Sequence, residues 1–185
     1  CGDTHVQMAE KIAPGAGPYL AIGPTSNSPG KQWPAECFIE LSQRLTGPNG
    51  PLPGARILVY GGPGEEETAR PVSRAFSGQQ CIDIVGKLDL LPVYACLRKC
   101  ALYVGNDSGL MHLAAAAGIP TLGLFGPSKE VHYAPWGAKA MAVRGDKSFE
   151  DIVSAPGYVR RSGQSYMSSL GVERVERAVI GLMAR

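Results

Sequence analysis

Asn106, Asp107, Ser108, Gly109 and His112 sit where an apolar run, Ala101 to Val104, meets an alanine-rich stretch that ends at Gly118 and Pro120. The run has the character of a buried parallel strand, and the stretch from Leu110 to Ala117 that of a helix capped by Asn106 or Asp107. Such a junction leaves the amides of Ser108, Gly109 and Leu110 without an intrahelical acceptor, pointing beyond the C-terminal end of the strand. That is a site for an anion. Gly109 has no side chain to hold a phosphate away, Ser108 adds a hydroxyl, and His112 lies one turn further along the helix. A second polar set, Thr25, Ser26 and Lys31, occupies the loop Gly23 to Lys31 after an earlier apolar run, Tyr19 to Ile22. Lys31 precedes a helix, where a cation is slightly unfavourable unless an anion accompanies it. Asp107 has two readings, as a helix cap and as an acceptor for sugar hydroxyls.

Other chemistries fit less well. Gly105-Asn106-Asp107-Ser108-Gly109 approaches a hydrolase nucleophile elbow, but GxSxG needs Ser third and here it is fourth. Gly61-Gly62-Pro63-Gly64 is neither a dinucleotide fingerprint nor a P-loop. The five cysteines, Cys1, Cys37, Cys81, Cys96 and Cys100, are odd in number and lack CxxC spacing, against both a disulfide framework and a metal site. A formal charge of +2 with interspersed signs gives little reason to expect nucleic acid or a membrane surface as the main partner. No apolar stretch reaches spanning length, and a soluble, cytoplasmic protein needing no cofactor is expected.

The elements that must position these groups alternate along the chain. Strands are expected at Tyr19–Ile22, Arg56–Tyr60, Cys81–Val85, Ala101–Val104, Thr121–Phe125 and Lys139–Val143, with helices between them. Trp33-Pro34 opens a helix with proline at its first position; Cys37, Phe38, Leu41 and Leu45 form its buried face. Pro71, within an acidic helix starting at Glu65, predicts a kink or a later start. Asp89 caps a further helix, the segment 145–170 has no clear period, and Val172–Met183 closes the chain as an amphipathic helix. Residues 1–17 end in a Pro/Gly cluster and read as a linker or tail from a missing N-terminal domain, leaving 18–185 as one binding domain. The pattern implies an α/β, Rossmann-like doubly wound parallel sheet in the order 3-2-1-4-5-6. In that order the loop after the first strand and the turn after the fourth become two walls of one crevice, suited to a phosphate or pyrophosphate.

Lys31-Gln32-Trp33-Pro34, then Asn106 to His112, then Leu124-Phe125-Gly126-Pro127-Ser128 closely resemble the ADP-heptose:lipopolysaccharide heptosyltransferases, glycosyltransferase family nine. The resemblance covers roughly residues 18–184 and implies the C-terminal, donor-binding half of a GT-B fold. It implies an ADP-heptose donor, with Lys31 at phosphate and sugar and stabilising the leaving group. Thr25 and Ser26 fall in the phosphate loop, Asp107 at the sugar, and Ser108, Gly109 and His112 on the diphosphate side. Glu65 matches a position that binds the sugar nucleoside, and Leu88 one lining the adenine. The acceptor, the lipopolysaccharide core, and the general base are expected on the missing N-terminal half, with a peripheral approach to the inner membrane. Two alternatives remain open: a stand-alone nucleotide-binding module without transfer activity, and a related GT-B enzyme using another nucleotide-sugar, such as an epimerase.

Overall fold

A computed structural model describes residues 2–76, 78–160 and 163–185. Six strands, β1 (Tyr19–Gly23), β2 (Arg56–Val59), β3 (Cys81–Asp83), β4 (Leu102–Asn106), β5 (Thr121–Phe125) and β6 (Ala140–Arg144), form one sheet in the order β3-β2-β1-β4-β5-β6. Every pairing is parallel. This is the Rossmann-like α/β order expected from the alternation of apolar runs. The register sets Gly23 opposite Gly105 where the sheet order reverses.

Alternate strand residues feed two cores. Leu20, Ile22, Ile57, Val59, Leu102 and Val104 face one side, covered by α2 (Ala35–Thr46), α3 (Glu66–Ala75) and α8 (Val172–Met183). Tyr19, Ala21, Leu58 and Tyr103 face the other, under α1 (Asp3–Ile12), α4 (Leu90–Leu97) and α5 (Gly109–Ala116). Period-two alternation with apolar residues on both faces is what a doubly covered parallel sheet requires.

Local differences from the sequence reading have physical reasons. Within residues 1–17, Asp3–Ile12 are helical, because Ala9 and Ala13 bury against the second core and Glu10 pairs with Lys99. Helix α3 starts at Glu66 and runs through Pro71 rather than beginning after it. Pro34 stands one residue before α2 rather than at its first position. Asn106 ends β4, and Ser108 occupies the cap position of α5 without a side-chain cap bond, so neither Asn106 nor Asp107 caps that helix. The segment 145–170, apart from residues 161 and 162, which lie outside the described residues, contains α7 (Phe149–Val153). Its Ser148 caps the helix through Asp151. A short α6 (Glu130–Tyr133) follows β5.

One side chain ties the two walls of the crevice together. The Asn106 amide, fully buried, donates to the Pro24 carbonyl at 2.8 Å and accepts from the Trp33 amide at 3.0 Å. Trp33 is itself anchored, its indole donating to the Leu170 carbonyl at 2.8 Å and packing edge-on to Phe38. Asn106 is therefore the bolt between the end of β4 and the loop after β1. Behind it, the Tyr103 ring fills the space that the paired glycines leave open. A Cβ on Gly105 would stand 2.7 Å from Tyr103 Cζ and 2.8 Å from the Gly23 carbonyl oxygen.

Asn106→Ala strands a buried acceptor and a buried donor at about 1–3 kcal/mol each, and is expected to lower the unfolding free energy by about 2–4 kcal/mol. Urea denaturation checks this, and a loss under 1 kcal/mol would mean that the two loops hold together by other means. Gly105→Ala is expected to lose about 1–3 kcal/mol through overpacking in the same assay, with Tyr103→Leu in that background restoring part of it.

Candidate functional site

The loop after β1 crosses above the sheet and turns through a single 3-10 turn, Pro29–Lys31, before Trp33 enters the core. This places Ser26 and Lys31 against the Asn106–Gly109 turn, as the crevice reading expects. Lys31 Nζ lies 2.7 Å from Asp107 Oδ2, and the Ser26 hydroxyl donates to the Asp107 carbonyl at 3.2 Å. Gln32 closes the loop on itself, its side-chain amide reaching the Ser26 carbonyl at 2.9 Å. Lys31 is thus no solvated surface charge. Its side chain is 26% exposed and that of Asp107 only 6%. A pair this sheltered from solvent is screened less than one on the open surface.

On the neighbouring wall, the loop after β2 brings Glu65 to Thr25. The Thr25 hydroxyl donates to Glu65 Oε2 at 2.6 Å, and the same oxygen accepts the Gly62 amide at 2.7 Å. Gly61 is required there, since a Cβ would press on Val85 at 2.8 Å. The loop after β3 joins this wall through the Gly86 amide, which donates to the Gly61 carbonyl at 3.1 Å. Leu88, two residues on, is half-buried against the second core and makes no bond to the polar cluster.

The start of α5 supplies the remaining groups. The amides from Ser108 to Met111 have no acceptor within the helix. Gly109 is open to solvent, with nothing within 4 Å of where its Cβ would be. The Ser108 Oγ and the Tyr103 Oη are both buried without a well-formed hydrogen bond. Burial pushes the Tyr103 phenol far above its ordinary range, the nearby Ser108 hydroxyl opposing the rise. His112 stands exposed one turn along α5, outside the bonded cluster. The structure therefore brings Thr25, Ser26, Lys31, Glu65 and Asp107 into one connected set, while Leu88 and His112 flank it. The sequence reading gave Asn106 only a helix-capping role and Gln32 none of its own, whereas the structure makes both of them ties of the loop after β1. An amide side chain at the very end of a buried strand, beside Asp107, was the available signal.

A cavity of about 860 Å3 adjoins this cluster rather than coinciding with it. Lys31 lies on its wall, whereas Asp107, Ser108 and Glu65 do not. It opens between the loops that follow β1, β5 and β6. Arg144, at the end of β6, shapes that wall by donating to the carbonyls of Gly126 and Ser128 and by pairing with Glu130 at 2.5 Å. Burial raises the Glu130 carboxyl, but the Arg144 guanidinium outweighs it and holds the group below its ordinary value.

The thiols of Cys81, Cys96 and Cys100 pack with the apolar cores, outside this cluster. Burial pushes Cys81 and Cys96 up to about 11 and Cys100 up to about 12, so none is a thiolate at neutral pH. Among the described residues no group of three or more His, Cys, Asp or Glu is placed to hold a metal ion. No described helix is long and apolar enough to cross a membrane.

Comparison with known proteins bears on the family and the fold. Residues 3–154 match glycosyltransferase family 9 (heptosyltransferase). Lipopolysaccharide heptosyltransferase 1 of Escherichia coli K12 is 30% identical over 130 residues, which is 70% of this chain and 38% of that protein. A glycosyl transferase family 9 structure from Veillonella parvula superposes with a TM-score of 0.80 at 27% identity, over 100% of this chain and 52% of its own. The E. coli heptosyltransferase WaaC, solved with ADP-2-deoxy-2-fluoro heptose, gives 0.64 at 25% identity, over 95% of this chain and 47% of its own. The chain spans about half the length of these solved relatives. With the family match taking in well over half of its residues, and the sheet aligned along its whole length, the chain belongs to glycosyltransferase family 9.

Proposed function

We propose that this chain is the donor-binding half of an inverting heptosyltransferase, holding ADP-heptose across the crevice at the reversal of sheet order. The observation that carries this is the convergence of Ser26, Lys31 and Asp107 with the free amides that begin α5. A diphosphate bound there meets a cation, two hydroxyls and a helix N-terminus. Glu65, fixed by Thr25 and Gly62, faces the ribose, and Leu88 the adenine. Asp107 accepts from the sugar hydroxyls. The relative solved with an ADP-heptose analogue supports this choice of donor.

In the reaction an acceptor hydroxyl attacks the anomeric carbon from the face opposite the diphosphate. The new C–O bond forms as the bond from that carbon to the phosphate oxygen breaks, and configuration inverts. The acceptor's proton passes to a general base on the other half of the enzyme. ADP leaves with the electron pair, and Lys31 with the α5 amides stabilises the charge that develops on its terminal phosphate. Lys31 enters this step already aligned by Asp107, so little reorganisation is needed as charge builds. The acceptor is the lipopolysaccharide inner core, reached from the cytoplasm by peripheral approach to the inner membrane.

Calorimetry on this chain is expected to give ADP a micromolar to millimolar affinity, about 4–8 kcal/mol, ahead of UDP and GDP. Lys31→Ala weakens ADP about tenfold or more, a charge-assisted contact being about 1.5–3 kcal/mol. Because Asp107 then loses its partner, the same variant also loses roughly 1 kcal/mol of stability. Ser108→Ala leaves the amides in place and loses only about 1 kcal/mol of binding. Wild-type ADP affinity in Lys31→Ala, or a preference for UDP, would refute the assignment.

The chain alone is expected to release no ADP from ADP-heptose in the presence of a lipopolysaccharide core acceptor, and joining it to a base-bearing N-terminal half should start turnover. Steady turnover by these 185 residues would show that the base lies within them.

A further inference from the structure

We propose that Tyr103 is a positioning residue for the anion site: its hydroxyl holds the Ser108 side chain off the amides that begin α5, leaving those amides, and the Ser108 proton, for a diphosphate. This rests on the donor-binding reading and adds to it the group that keeps the helix start open.

A serine just before a helix ordinarily turns its oxygen onto the amide two or three residues on. Ser148 does so in this chain: its backbone is extended, at φ −63° and ψ 167°, and its hydroxyl accepts the Asp151 amide at 3.0 Å. Ser108 holds the same position before α5 with the same kind of backbone, at φ −155° and ψ 169°, yet makes no such bond. The main chain is set for capping, and only the side chain is withheld. Its Oγ is buried and has no hydrogen-bond partner among the described residues. A serine that capped α5 would take up the amide of Leu110 or Met111, one of those that a phosphate needs.

Tyr103 stands where it can withhold that side chain. It is wholly buried on β4, in the core it shares with Met111 and Ala114 of α5. Its Oη is the atom nearest to where a Cβ would stand on both Gly23 and Gly105, so the two glycines make room for the phenolic oxygen at the floor of the crevice. That oxygen, too, is buried without a partner among the described residues, a costly state unless one is at hand. Burial drives the phenol's pKa up, and the neighbouring Ser108 hydroxyl is the group that opposes the rise. A phenol so shifted keeps its proton and is a donor to Ser108 Oγ. The serine, its oxygen engaged, then has its own proton to give to a phosphate oxygen. The pair falls short of a well-formed bond, and a phosphate that orders the serine would close it.

The test compares the wild-type chain, Tyr103→Phe, Ser108→Ala and the double variant by calorimetry with ADP, urea denaturation, and amide hydrogen exchange without nucleotide. Tyr103→Phe keeps the ring and is expected to weaken ADP about three- to tenfold. Its urea midpoint should stay or rise, because Ser108 is freed to cap α5, and exchange at Leu110 or Met111 should slow for the same reason. In the Ser108→Ala background, Tyr103→Phe should change neither ADP affinity nor those amides. A tyrosine that only fills space predicts the reverse pattern, with stability and affinity falling together and alike in both backgrounds. Unchanged ADP affinity in Tyr103→Phe, an equal loss in both backgrounds, or wild-type exchange at both amides would overturn the proposal. Failure of the wild-type chain to bind ADP would overturn the donor assignment instead, and slowed exchange in Tyr103→Phe but not in the double variant would still establish the hold of Tyr103 on Ser108.

Discussion

The buried amide of Asn106 is the constraint on which the crevice depends. A parallel sheet ends its strands in unpaired backbone groups, and at the reversal of strand order the two adjacent loops diverge to opposite faces. Without a bridge, the loop after β1 would have only its own turn to hold it. Asn106 supplies both a donor and an acceptor at the needed spacing, to the Pro24 carbonyl and the Trp33 amide. Aspartate in that place would set a carboxylate against a carbonyl, and alanine would leave two buried groups unpaired. Trp33 passes the constraint on, through its indole, to the Leu170 carbonyl and so to the segment that leads into α8.

Fixing the loop in this way makes the Lys31–Asp107 pair possible. Both side chains stand on segments flanking the bolt, so their separation is set by backbone rather than by side-chain search. A lysine held beside a carboxylate is a poor site for a free anion in isolation. Beside the unpaired amides of α5 it becomes a balanced one, the carboxylate turned to hydroxyls and the cation to phosphate. This division of labour suits a sugar diphosphate, which carries both kinds of group on adjacent atoms. Glu65, locked by Thr25 and Gly62, extends the same pattern of acceptors toward the end proposed for the nucleoside.

Much of this was legible from residue order. The alternation of short apolar runs with amphipathic stretches implied the sheet order, and two elements, Thr121–Phe125 and Val172–Met183, fall where the sequence placed them. Proximity of Lys31 to Asp107 followed from topology alone, because strands 1 and 4 must be neighbours. What topology does not give is side-chain partnership: the Asn106 bolt, the Thr25–Glu65 bond and the Arg144 clamp join residues far apart in sequence. Helix α1 escaped notice because its buried face is small, resting on alanines and a single ion pair. Residues 163–170 carry no periodicity for a different reason. They are held by long-range bonds, the Tyr166 amide to Gly30 and the Ser165 hydroxyl to Gln32, rather than by a repeating pattern of their own.

The central claim is that the crevice at the sheet reversal, and not the cavity beside it, receives the nucleoside diphosphate. Amide chemical-shift mapping of the labelled chain during an ADP titration tests it most directly. The account predicts that the largest shifts fall on residues 24–31, 62–65 and 105–112, with those around Leu88 following as the adenine seats. Shifts confined to residues 127–160, or to the face formed by α1 and α4, would contradict it.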